Sequence, residues 1–174
     1  MRWFLIPVLC LLFPGVSGTC MAQDDKEIFV IYLVRHAEKA ADPVDSADPS
    51  LSRCGALRAD SIAAMLRDSG LETIYSTAYE RTLATARPGS AALNLEIETY
   101  DPRELEPFAQ LLLERGQDAL VVGHSNTTSV LAGLLSGREQ EPFDEALYDR
   151  LYQVTVSGGH ARMVLLHQAF NCPL

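Results

Sequence analysis

One run of residues constrains the fold of this chain more than any other feature. Residues 28–34 form a continuous apolar segment that is rich in β-branched and aromatic side chains. A strand that is apolar at every position is buried on both faces, which is typical of the middle of a parallel sheet. Arg35 and His36 follow directly. The segment therefore predicts a central strand with two polar residues at its carboxyl end.

Helical and strand patterns alternate along the rest of the chain. Apolar residues at helical spacing predict helices near residues 55–66, 79–86, 105–112 and 127–135. Short apolar runs predict strands near residues 72–75, 95–100 and 118–122, and a closing hairpin of residues 151–156 and 163–167. Pro88 is expected to end the second helix, because proline has no backbone N–H to donate. This alternation predicts an α/β domain with a mostly parallel sheet.

The first 22 residues have the pattern of a cleavable signal peptide. Arg2 supplies a positive charge, residues 3–13 are mainly apolar, and small residues lead into a polar segment. The apolar run is shorter than the ~20 residues that a spanning helix needs, so no stable membrane insertion is expected. The predicted organisation is a signal peptide over 1–22 and a single domain over 23–174, exported to the periplasm or outside the cell. A lipid anchor on Cys20 is an alternative, although the expected aliphatic residue before the cysteine is missing.

Charge and cysteine content narrow the classes further. The 174 residues carry a formal net charge of −9, which argues against general nucleic-acid binding and requires any anion site to be built locally. Cys54 and Cys172 lie within the predicted mature domain. In an oxidising compartment they could form a disulfide, and they could equally be two unpaired thiols. Their separation in sequence does not decide between these readings.

Three polar clusters follow predicted strands. Arg35 and His36 follow the first strand, Ser76 follows the second, and residues 123–125 (Gly-His-Ser) follow the fourth. Ligands of open α/β sheets bind beyond the carboxyl ends of the strands. The three clusters are therefore predicted to lie on one edge of the sheet and to form a site there.

The ordered set of motifs resembles the histidine phosphatase superfamily, in the branch that includes small phosphohistidine phosphatases and phosphoglycerate mutases. The matching segments are Leu33-Val34-Arg35-His36-Ala37-Glu38, Tyr75-Ser76-Thr77, Arg81-Thr82, Thr85-Ala86 and Val121-Val122-Gly123-His124-Ser125. Leu51-Ser52, Gly55 and Arg58-Ala59 also look like the family's helix-opening segment. The resemblance runs from about residue 28 to residue 135 and implies a three-layer α/β/α sandwich of the phosphoglycerate mutase type.

The resemblance also implies the chemistry. His36 is the expected nucleophile, which would attack phosphorus and form a phosphohistidine that water then hydrolyses. Arg35, Arg81 and His124 are the expected phosphate-binding residues, because planar guanidinium groups donate paired hydrogen bonds to phosphoryl oxygens. No cofactor or metal is expected, since these groups carry the charge stabilisation and no convincing metal-ligand spacing occurs in the sequence.

The proton donor for the leaving group is open at this point. The family places a carboxylate after the third strand, where Asp101 and Glu104 are the first two candidates and Glu106 is the third. Glu38, two residues after the nucleophile, is a fourth candidate. A labile phosphoamidate substrate would need little help from an acid.

Two residues depart from the family pattern. Ala37 replaces the usual glycine after Arg-His, and Lys39 stands where serine or threonine often follows the glutamate. Lys39 either adds positive charge at the pocket mouth or is simply solvated. The stretch between Arg81 and His124 is short and leaves no room for a large lid, which argues against mutase activity.

Two other functional classes compete with an exported, metal-independent phosphatase. One is a non-catalytic module that binds a phosphorylated ligand through the same arginines and histidines. The other is a serine hydrolase built on Ser125, although the segment lacks the closing glycine of that motif. The expected partner is a phosphorylated small molecule or envelope substrate. The substrate's identity and the oligomeric state stay open.

Overall fold

The computed structural model describes residues 28–41 and 47–172. Four helices and six strands alternate in chain order as β1 (Phe29–Arg35), α1 (Arg53–Leu66), β2 (Thr73–Ser76), α2 (Glu80–Leu93), β3 (Ile97–Thr99), α3 (Leu105–Arg115), β4 (Ala119–Gly123), α4 (Thr128–Ser136), β5 (Arg150–Ser157) and β6 (His160–His167). The predicted signal peptide lies outside the described residues. Among those residues, no helix is both long and apolar enough to cross a membrane.

The strands form one sheet in the order β3-β2-β4-β1-β5-β6. The first four of these strands run parallel to one another, and the last two join antiparallel. Strand β1 lies in the interior of the sheet, as its unbroken apolar run predicts. Its last residue, Arg35, pairs with Gly123, which ends β4. The carboxyl ends of β1, β4 and β2 therefore meet at one edge.

Helices cover both faces of the sheet, which confirms the three-layer α/β/α architecture. On one face, Ile31 and Leu33 of β1 join the cluster that includes Phe108 of α3 and Leu131 of α4. On the other face, Val34 joins the side chains that α1 and α2 bury. Alternate residues of β1 thus serve two separate cores, and this is why no polar residue interrupts the strand.

Helix α2 corrects one expectation. Pro88 does not end the helix, which continues to Leu93 and closes on Asn94 in the left-handed conformation. An internal proline removes one helical hydrogen bond and costs about 3 kcal/mol. The residues beyond it still pack, because Gly89 lies against Ile74 and Leu120 of the sheet. Tertiary packing therefore carries the helix past the proline.

The structure answers two questions about the carboxyl-terminal part, which are the hairpin and the pairing of Cys172. Strands β5 and β6 form the predicted hairpin, and Gly158 and Gly159 both adopt positive φ in the turn. Cys54, in α1, forms a disulfide with Cys172, with a Cα–Cα distance of 5.4 Å. The disulfide ties the segment after β6 to the first turn of α1.

Candidate active site

An open pocket lies at the sheet edge where β1, β2 and β4 end. The His36 amide donates to the Gly123 carbonyl at 2.9 Å, so the residues after β1 and β4 begin side by side. The pocket has a volume of about 310 Å³ and is lined by Arg35, His36, Lys39, Tyr79, Arg81, Pro102, Arg103, His124, Ser125, Asn126, Thr127 and Glu145. The structure therefore brings together the four basic residues that the sequence predicted.

Of the two histidines in the pocket, His36 is the more deeply buried. Its Nδ1 lies 2.8 Å from the carbonyl oxygen of Ala37, which can only accept, so Nδ1 carries the proton. Burial lowers the pKa of His36 to about 3, and the nearby charges of Arg35 and Arg81 lower it too. The ring is therefore neutral at physiological pH. Its Nε2 is left unprotonated, which is the form that a nucleophilic imidazole needs.

His124 faces His36 across the pocket, with 5.5 Å between the ring centroids. Its Nε2 lies 3.0 Å from Oγ1 of Thr77, which follows β2. Burial lowers the pKa of His124 to about 4, and Arg81 and Arg35 act in the same direction. Both rings are consequently neutral, and Nδ1 of His124 is the ring nitrogen that remains for a ligand.

Arg35 is held from several sides. Its side chain is only 3% exposed, and Nη1 donates to the carbonyl oxygens of Glu145 and Leu147, the latter at 3.3 Å. The guanidinium also stacks on Tyr148, 4.2 Å from the ring centroid. The two hydrogen bonds to carbonyl oxygens use Nη1, and a guanidinium has further N–H donors for a ligand. Burial lowers the pKa of Arg35 from its ordinary value, yet an arginine stays charged in proteins.

Arg81 lies in the first turn of α2 and is held more loosely. Its guanidinium stacks on Tyr79 at 4.4 Å from the ring centroid, and Nη1 donates to Asp48 Oδ1 at 3.1 Å. The other carboxylate oxygen of Asp48 accepts from the Glu80 amide at 2.8 Å. Asp48 thus caps the start of α2 and orients Arg81 with one carboxylate, a role that the sequence did not reveal.

Small residues and hydroxyl groups set the local backbone of the site. A Cβ at Gly123 would lie 2.7 Å from the Tyr100 hydroxyl oxygen and 3.0 Å from Thr127 Oγ1, so the residue before His124 must be glycine. The Ala37 amide donates to Thr85 Oγ1 at 3.0 Å, which fixes the backbone after His36 against α2. The threonine in the Thr85-Ala86 motif therefore has a structural role beside the nucleophile.

The carboxylates after β3 are not brought into the pocket. Asp101 is bound by Arg103 at 2.6 Å, and this contact lowers the pKa of Asp101 to about 2. Asp101 does not line the pocket that holds the two histidines. Glu104 precedes α3 and Glu106 lies in its first turn, and both are exposed away from the pocket lining. The geometry therefore does not support Asp101 or Glu104 as the acid.

Glu38 is part of a structural ion pair. Arg58 of α1 donates to both of its carboxylate oxygens, at 2.9 Å and 3.0 Å from Nε and 2.6 Å from Nη2. Among the described residues, Glu38, Cys54 and Cys172 form the one group with ligand atoms close enough for a metal ion. The two sulfur atoms are joined in the disulfide and the carboxylate is occupied by Arg58, so this group does not fit a metal.

Two charged residues of the pocket, Glu145 and Arg103, were not assigned a role from the sequence. Glu145, in the segment between α4 and β5, lies with its Oε2 3.8 Å from Nζ of Lys39. Arg103 also lines the pocket. Glu145 has no strand or motif next to it, so no local pattern could have indicated its place. Lys39 carried a signal, since it departs from the family pattern.

The serine hydrolase reading finds no matching geometry. Ser125 lines the pocket, but the hydrogen bonds of the His36 and His124 rings are with Ala37 and Thr77. A nucleophilic serine needs a base within hydrogen-bond reach.

Comparisons with known proteins show which family and which folds the chain is similar to. The model of the histidine phosphatase superfamily, branch 1, matches residues 31–105. No curated protein sequence matches the chain. The protein histidine phosphatase SixA complexed with tungstate is similar in structure, with a TM-score of 0.66 and 19% identity over 80% of this chain and 97% of that chain.

Two further solved structures share the fold. The alpha-ribazole phosphatase from Shigella flexneri has a TM-score of 0.67 and 17% identity, over 80% of this chain and 96% of that chain. A mycobacterial glucosyl-3-phosphoglycerate phosphatase has a TM-score of 0.64 and 12% identity, over 82% of this chain and 100% of that chain. At these identities the structures establish a common fold, and the family model adds the motifs.

Proposed function

We propose that the chain, whose residues 31–105 match the model of the histidine phosphatase superfamily, branch 1, is a phosphatase that hydrolyses a phosphate monoester or phosphoamidate through a phosphohistidine on His36. One observation carries this proposal. Nδ1 of His36 donates to the Ala37 carbonyl, and the pocket keeps the ring neutral. Nε2 is therefore the unprotonated ring nitrogen that can act as the nucleophile. The reaction needs no metal, because arginine side chains supply the charge.

The reaction has two balanced steps. In the first, Nε2 of His36 forms a bond to phosphorus while the bond from phosphorus to the leaving oxygen or nitrogen breaks. In the second, water attacks phosphorus and the phosphorus–nitrogen bond breaks. Phosphate is released and His36 returns to its neutral form. Each transfer gathers negative charge on the equatorial oxygens, which preorganised donors stabilise. Arg35, Arg81 and His124 are the donors that we assign to those oxygens.

Among the described residues, Glu145 is the carboxylate that we assign as the proton donor. It is the one carboxylate among the described residues that lines the pocket with both histidines. In the second step the same carboxylate would accept the proton of the attacking water.

Export is proposed on two grounds. Residues 1–22 have the composition of a signal peptide. The Cys54–Cys172 disulfide supports the proposal, since structural disulfides persist in oxidising compartments. The substrates that we propose are accordingly phosphorylated small molecules or envelope components.

Trapping of the covalent intermediate tests the mechanism. Rapid acid-free quenching with a ³²P-labelled aryl phosphate should label the wild-type protein in an acid-labile, base-stable form. His36→Ala should lose the label completely, and kcat should fall by at least about 10⁴-fold, as for removal of other catalytic nucleophiles. His124→Ala should keep a detectable label with kcat lowered by about 10²-fold.

The competing binding module makes the opposite prediction for this experiment. Such a module would bind phosphate tightly and acquire no label with any substrate. Saturable binding without labelling in the wild-type protein would therefore reject the enzyme mechanism.

A leaving-group series tests Glu145. Glu145→Gln should lower kcat for an alkyl phosphate by about 10²-fold, because an alkoxide leaves poorly without a proton. The same variant should change kcat for 4-nitrophenyl phosphate less than threefold, since nitrophenolate needs no proton. Asp101→Asn is the matched control and should change neither rate. An equal loss for both substrates would show that Glu145 does not donate the proton.

A further inference from the structure

Lys39 is a cation that the proposed phosphoryl site does not use. Arg35, Arg81 and His124 line the pocket with His36 and are already assigned to the one phosphoryl group that His36 takes up. Lys39 lines the same pocket and its side chain is 37% exposed. It is close enough that its charge helps to lower the pKa of His124. The pocket therefore holds positive charge beyond what a single phosphoryl group requires.

The backbone around Lys39 is fixed. Lys39 forms an isolated β-bridge with Leu51, and the Ala40 amide donates to the Ser50 carbonyl at 2.9 Å. The Ser52 amide donates to the Glu38 carbonyl at 2.8 Å on the other side. The lysine therefore projects into the pocket from a segment whose backbone is paired on both sides.

Lys39 is also the less neutralised of the two cations at the rim. Arg103 is bound bidentately by Asp101, with the shortest contact at 2.6 Å. Lys39 has Glu145 as its ion-pair partner at 3.8 Å, and that carboxylate is 75% exposed. A long, exposed ion pair contributes little free energy and yields readily to a competing anion.

We propose that Lys39 binds a second anionic group of the substrate, so that the enzyme prefers phosphate esters that carry a carboxylate or another phosphate. The inference rests on the proposed function and adds the substrate class. The pocket volume of about 310 Å³ is on the scale of one small molecule, so both anionic groups belong to the same substrate. In the free enzyme Glu145 pairs with the ammonium group of Lys39, and the second anion of the substrate replaces Glu145 on binding.

Two matched probes test this proposal. 4-Carboxyphenyl phosphate and 4-carbamoylphenyl phosphate have the same shape and similar phenolate leaving groups, and they differ in one negative charge. The wild-type kcat/KM should favour the carboxylate by about fivefold, the size expected for one exposed charge pair. Most of the preference should reside in KM, and 0.5 M NaCl should reduce it. The 3-substituted isomers cover a second position of the anion.

Variants decide whether Lys39 is responsible. Lys39→Met should lower the carboxylate preference to about one, and Lys39→Arg should retain most of it. Arg67→Met, which removes one positive charge at the far end of α1, is the control and should leave both turnover and preference unchanged. A preference near one in the wild type with all isomers, or a preference that persists in Lys39→Met, would overturn the proposal.

The failure of this proposal is distinct from the failure of the proposed function. Turnover of the carbamoyl probe that depends on His36, with no preference for the carboxylate, would reject the subsite alone. If the wild type turns over neither probe and forms no phosphoenzyme, both proposals fail.

Discussion

The two arginines of the pocket are built in contrasting ways. Arg35 is 3% exposed, stacks on Tyr148, and donates to two backbone carbonyls. Arg81 stacks on the exposed ring of Tyr79 and is oriented by the side chain of Asp48. Arg35 is thus held by backbone carbonyls and a ring, whereas Arg81 is held by a side chain and a ring near the surface. The difference predicts that replacing Arg35 disturbs the pocket more than replacing Arg81.

Replacement of each arginine by lysine should give the largest contrast. Arg35→Lys should lower kcat/KM by about 10²-fold or more, because a lysine cannot keep the carbonyl contacts and also present paired donors. Arg81→Lys should lower it by about tenfold, since a solvated ammonium still supplies charge. Steady-state kinetics with 4-nitrophenyl phosphate would measure both. Equal losses of kcat/KM in the two variants would contradict this contrast between Arg35 and Arg81.

Replacement of the stacked tyrosines should give a smaller contrast. A desolvated cation–π contact contributes about 2 kcal/mol and an exposed one about 0.5–1 kcal/mol. Tyr148→Leu should therefore lower kcat about tenfold or more, and Tyr79→Leu should lower it about two- to fivefold. Tyr148→Phe keeps the stacking ring and should retain most activity. If Tyr148→Phe were as impaired as Tyr148→Leu, stacking would not be what orders Arg35.

The stability of the protein against pH gives the smallest contrast. Burial lowers the pKa of His36 to about 3 and of His124 to about 4, from an ordinary value of 6.5. The unfolded chain therefore binds more protons than the folded chain between pH 6.5 and these values. The free energy of unfolding should fall as the pH falls through that window, by up to about 1.4 kcal/mol per pH unit for each histidine.

Urea denaturation from pH 7 to pH 4.5 would check this expectation. His36→Ala and His124→Ala should each reduce the slope of stability against pH, and they should do so similarly above pH 5. A slope in either variant that equals the wild-type slope would show that the replaced ring is protonated in the folded protein.

Much of the fold followed from local pattern. The apolar run of β1 predicted an interior strand, and the apolar faces of α1 and α3 were the faces that the structure buries. These predictions succeeded because hydrophobic period reports directly on burial. The expectation that Pro88 ends α2 is wrong, because here local pattern does not report on tertiary packing. Its local effect on a helix is unfavourable, and only the sheet beneath α2 offsets it.

The candidate site divides in the same way. Arg35, His36 and His124 were visible because they follow strands whose ends must meet at one edge of a parallel sheet. Arg81 was visible through its motif. Asp48, Glu145 and Tyr148 come from segments without periodicity, and their positions depend on how loops fold back over the sheet edge. No rule of spacing connects such residues to the pocket.

The sequence by itself determined the alternation of strands and helices, the polar residues at the strand ends and the identity of the nucleophile candidate. These features depend on residues that are near one another in the chain or on the fixed geometry of a sheet. The tertiary structure decided the pairing of Cys54 with Cys172, the diversion of Glu38 to Arg58, and the absence of Asp101 from the pocket lining. The first two outcomes depend on which residues far apart in the chain the packed fold brings together, and the third depends on where the segment after β3 lies relative to the pocket.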